Sequence, residues 1–112
     1  MSSVMQSWLY LAAAIVMELG GTTCMKLSDG LTRPAPAIAM FGFYGLSFAA
    51  LTMALKKIDL GVAYAIWSGV GTALIALIGV AFFREPLTAL KVLSIALIIF
   101  GVVGLNLSFN GH

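Results

Sequence analysis

Apolar residues run almost unbroken in four stretches, at roughly residues 8–27, 34–55, 60–83 and 87–109, and most charged positions fall in or beside the three short gaps between them. Each stretch is close to the ~20 residues that cross a ~30 Å hydrocarbon core as an α-helix. The pattern predicts an all-α membrane protein with four transmembrane helices, organised as a single domain over residues 1–112. The first stretch is too long for a signal-peptide core, has no basic residue before it and is followed by three more. It therefore reads as a span and not as a removable leader.

Composition narrows the classes further. The chain is 62% hydrophobic and 9% charged, with a mean hydropathy of +1.10, outside the range of soluble domains. Almost nothing lies outside the spans, so no soluble domain is expected, and no nucleic-acid partner. No nucleotide-binding loop is present, which argues against direct ATP-driven pumping. The single cysteine, Cys24, lies within the first span and reads as a core thiol. No His/Cys/carboxylate cluster suggests a metal, a cofactor or an enzyme active site. His112 is terminal and reads as solvated.

The charges beside the gaps bear on topology. Lys26, Arg33, Arg84 and Lys91 lie near the first and third gaps, Lys56 and Lys57 near the second. This bias weakly favours a cytoplasmic side for gaps one and three, and Lys26 and Lys91 are expected within helix ends, where they count less. A chain with so weak a signal can insert both ways and supply antiparallel dimers, whose subunits form an inverted pair. Four spans are also few to enclose a polar pathway, so a transporter of this size is expected to complete its cavity across a subunit interface.

Glu18 is the candidate that matters most: it is the one acidic residue inside the four stretches, near the middle of the first. A carboxylate at bilayer depth is costly, and the cost can be met by a proton, a cationic partner or a water-filled cavity. Helical spacing places Leu11, Ala14, Ile15, Gly21, Thr22 and Met25 on its face. Ala14 and Gly21 leave room for a ligand or another helix, and Thr22 can bond to its own backbone or to a partner.

In the third span the string GVAYAIWSGVG puts Tyr64, Trp67, Ser68, Gly71 and Ile75 on one broad face. Its aromatic pair can offer π surfaces to an organic cation, with the tyrosine hydroxyl toward the carboxylate, or can anchor the helix at the membrane interface. Gly69 and Gly71 permit close helix approach or a bend. Tyr44 and Ser47 stand one turn apart in the second span, as site residues or as ordinary core. The fourth span carries Ser94, Gly101 and Asn106, and reads as an assembly helix.

Three strings, ELGGTTCMKLSDGLTRPAP from Glu18, GVAYAIWSGVG from Gly61 and FFREPLTAL from Phe82, together resemble the small multidrug resistance family over nearly the whole chain. The resemblance is strongest to its exporters of polyaromatic and quaternary ammonium cations. It implies a bacterial inner-membrane antiporter driven by the proton gradient, working as an antiparallel, dual-topology homodimer. It further implies that Glu18 binds both proton and substrate, that Tyr44, Tyr64 and Trp67 line the chamber, and that Ala14, Thr22 and Ser47 lie near it. Guanidinium exporters of the family usually carry a tryptophan three residues after the membrane glutamate, where this chain has Gly21. Ala49 stands where the multidrug branch often has tryptophan. A guanidinium or small-metabolite exporter is the alternative within the family. Outside it, a channel remains, or a nontransport assembly or regulatory subunit whose Glu18 pairs with a basic residue of another protein.

Overall fold

A computed structural model describes residues 3–108 as four helices: α1 (Ser3–Leu27), α2 (Pro34–Ala54), α3 (Leu60–Phe82) and α4 (Ala89–Ser108). All four are long and apolar enough to cross a membrane. Phe109, the expected last residue of the fourth span, and His112 lie outside the described residues.

The ends differ from the hydropathy pattern for local reasons. α1 starts five residues before the expected position 8, because backbone hydrogen bonding continues through the polar Ser3–Gln6–Ser7 turn; Ser7 is itself buried. α2 begins at Pro34, where a missing N–H costs nothing in a first turn. α4 starts at Ala89, two residues after the expected 87. Thr88 caps it, its Oγ1 accepting the Lys91 N–H at 3.1 Å and its carbonyl accepting the Val92 N–H at 3.0 Å. Lys26 and Lys91 do lie within helices.

α1 is the central helix, packed along α2 and against α3, and α4 leans on α3. Short connections between helices favour close packing of consecutive pairs. Instead α2 and α3 make little backbone contact, because small residues draw both onto α1. On the α2 side, an added Cβ at Gly20 would come within 2.9 Å of the Phe43 ring and one at Gly21 within 2.7 Å of the Tyr44 ring. The fully buried Ser47 donates to the Ala14 carbonyl at 2.7 Å. Beneath them Leu11, Ile15, Ala54, Ile58, Ala63 and Ile66 form the core.

α4 contributes no buried residue. Its contact with α3 runs through Ile98 and Val102, the latter 2.7 Å from where a Gly69 Cβ would stand. Ser94, Gly101 and Asn106, expected to serve helix contact, are all exposed within one chain, and a Cβ at Gly101 would meet nothing within 4 Å. The reason is rotational: the bulky Ile98–Val102 ridge sits on Gly69, turning the small residues outward. Large exposed side chains such as Phe41, Leu90, Leu97, Phe100 and Leu107 clothe the outside, as a lipid-facing surface requires.

Candidate functional site

The site begins with one turn of α1. Thr22, four residues after Glu18, donates its hydroxyl to Glu18 Oε1 at 2.8 Å. The same hydroxyl oxygen lies 2.7 Å from the Tyr44 hydroxyl on α2. A threonine has one hydroxyl hydrogen; while it is given to Glu18, Tyr44 must be the donor to Thr22. The result is a directed chain from Tyr44 through Thr22 to the carboxylate. Gly21 makes it possible, since any side chain there would strike the Tyr44 ring. The sequence pointed to the Tyr64 hydroxyl as the carboxylate's partner. That expectation is corrected: the connected tyrosine is Tyr44, acting through Thr22.

The other carboxylate oxygen is different. Glu18 Oε2 is buried and has no hydrogen-bond partner among the described residues, and neither has the buried Nε1 of Trp67. Both residues line a cavity of about 140 Å³ with Ser68, Gly71, Thr72 and Ile75. Gly71 clears the space, because a Cβ there would lie 3.1 Å from Oε2. Ser68 and Thr72 turn their hydroxyls back onto their own helix, to the carbonyls of Ala65 and Ser68. The unpaired acceptor and the unpaired donor thus belong to two residues that line the same small void. Leaving a buried polar group unpaired costs about 1–3 kcal/mol, and more when it is charged, so the arrangement suits a group that arrives from outside.

A line of four rings runs across α2 and α3, and one of them, Trp67, lines this void. Tyr44 and Phe48 have centroids 6.4 Å apart, Phe48 and Trp67 6.0 Å, and Trp67 and Tyr64 5.5 Å, with Tyr64 meeting Trp67 edge-on. These spacings fall within the range of favourable aromatic pairs. Phe48 bridges α2 and α3 and was missed from sequence, although its i, i+4 spacing from Tyr44 marks it as a neighbour on the same face.

The structure therefore brings Glu18, Thr22, Tyr44, Trp67, Gly21 and Gly71 together. Tyr64 stands at the margin, 57% exposed. Ala14 and Ser47, which the resemblance put beside the chamber, lie instead in the α1–α2 seam, bonded to each other and absent from the cavity wall. The cause is again the tight approach of α2 over the small residues of α1.

Four membrane-crossing helices, with a carboxylate at mid-span of the first and a row of aromatic rings on the second and third, define a class, the small multi-pass membrane proteins. The Small Multidrug Resistance protein family matches residues 6–98. The uncharacterized membrane protein YvaE of Bacillus subtilis is 50% identical over 101 residues, covering 90% of this chain and 85% of the relative. The multidrug resistance protein EbrB of the same species is 46% identical over 104 residues, 93% and 89% of the two chains. The quaternary ammonium compound-resistance protein QacF of Klebsiella aerogenes is 40% identical over 103 residues, 92% and 94%. The chain belongs to the small multidrug resistance family, and is a multi-pass protein of the bacterial inner membrane.

Proposed function

We propose that this protein exports hydrophobic and quaternary ammonium cations in exchange for protons, with Glu18 as the group that binds both. Family membership supports a drug or cation exporter. The observation that carries the finer reading is the buried Glu18 Oε2, without a hydrogen-bond partner among the described residues, on a side chain that lines one cavity with Trp67. A proton on the carboxylate, or a cation beside it, each relieves the same cost, and the two compete. Competition at one acid couples the fluxes when only loaded states interconvert readily, and the coupling is reciprocal.

The Tyr44–Thr22–Glu18 chain gives the exchange a structural consequence. An ionised Glu18 accepts from Thr22, whereas a protonated one can donate and reverse the order. Tyr44 thereby senses whether the acid is loaded. The rings of Tyr44, Phe48, Trp67 and Tyr64 offer π faces to a delocalised or alkylated cation, which recovers more from such contact than a strongly hydrated one.

A cavity of about 140 Å³ is well below the ~300 Å³ at which drug-sized pockets begin. One chain supplies half a chamber, in keeping with an antiparallel homodimer whose two Glu18 residues face a shared space. Position 21 supports the multidrug reading over guanidinium export: with Tyr44 packed on Gly21, no indole can stand there. Currents in reconstituted membranes test the assignment. Tetraphenylphosphonium, methyl viologen and benzalkonium should drive them, and large guanidinium currents with none from these three would contradict it.

A further inference from the structure

A second cavity, of about 250 Å³, lies between α1 and α3 beyond the first and is lined by Thr22, Thr23, Ile75, Ala76, Ile78, Gly79, Phe83 and Glu85. It shares Ile75 with the Glu18 cavity, and its Thr22 is the residue bonded to Glu18. At its far end stands Glu85, exposed, in the connection that follows α3.

An acid in a membrane-edge loop is ordinarily free to point into water. Here the backbone turns it back. Phe83 and Glu85 both give their N–H to the Gly79 carbonyl, each at 3.1 Å, and Arg84 between them takes a left-handed φ of 56°. The Glu85 carboxylate comes to rest over Gly79, where any added Cβ would collide with it. The neighbouring Lys91 is committed elsewhere, its Nζ donating to the Pro86 carbonyl at 2.7 Å. Among the described residues Glu85 is the one charged residue on the cavity wall; the rest is apolar or hydroxyl-bearing.

We propose that Glu85 is an outer cation-binding carboxylate, and that the cavity from Glu85 to Thr22 takes an apolar organic cation on its way to or from Glu18. This rests on the exporter reading and adds to it a second acid at the aqueous mouth. Apolar walls with one acid at the entrance favour a cation that is both charged and poorly hydrated, and a charge at a rim acts chiefly on the rate of encounter.

The test is stopped-flow binding of tetraphenylphosphonium to purified full-length protein, followed by tryptophan fluorescence at low and high ionic strength. Glu85→Gln keeps the backbone N–H to Gly79 and removes the charge. It should slow association about three- to tenfold at low salt, flatten the salt dependence, and leave the equilibrium affinity near that of the wild type, since Glu18 is intact. Glu85→Asp should retain both speed and salt dependence. Wild-type association rate and salt dependence in Glu85→Gln would overturn the outer site while leaving Glu18 in place. Wild-type protein that binds the cation no better than Glu18→Gln would overturn the exporter reading, and the outer site with it.

Discussion

Gly21 is worth more to this protein than its missing side chain suggests. Tyr44 lies on it so closely that even a methyl group would have to push the ring aside, and the Tyr44 hydroxyl is what orders Thr22 beneath Glu18. Gly21→Ala should cost about 1–3 kcal/mol of stability, as overpacking of a tight contact does, read as a lower unfolding temperature in detergent. Unchanged stability would mean that the contact yields freely. Thr22→Val removes the donor to Glu18 and strands the Tyr44 hydroxyl, and should change proton exchange more than Thr22→Ser does. Trp67→Ala should weaken tetraphenylphosphonium binding by about 1–2 kcal/mol, the scale of a partly desolvated cation–aromatic contact. Equal affinity in the variant would remove Trp67 from the site.

At the scale of the helices, the four elements and the central acid were legible in the sequence because hydropathy is a one-dimensional property and Glu18 interrupts it. Which helix touches which is not. The pairing of α1 with both α2 and α3 depends on where Gly20, Gly21, Ala14 and Ala63 fall around the helices, and periodicity alone does not say which partner a small face receives. For the same reason spacing leaves open whether Tyr64 meets the acid and whether Ser47 is site or core, and gives no sign of Phe48; the structure puts Ser47 in the α1–α2 seam and Phe48 beside Trp67. α4 is the clearest case: Gly69 accepts Val102, and Ser94 and Gly101 are left facing outward. Gly69→Leu should separate α3 from α4 and lower stability by about 1–3 kcal/mol. A variant as stable as the wild type would show that α4 is held by something other than this contact.

For the whole molecule, the proposal of two copies inserted in opposite senses has a direct test. A cysteine placed in the 55–59 connection, in a Cys24→Ala background, should be labelled by an impermeant thiol reagent in about half of the population in intact cells. Labelling of all or of none would contradict dual insertion. The central claim, that one acid serves both proton and drug, is tested most directly by proton release from purified protein in weak buffer when tetraphenylphosphonium is added, over a series of pH values. Wild-type protein should release protons in step with binding and Glu18→Gln should release none. Cation binding by the wild type without any proton release would contradict exchange at a shared site.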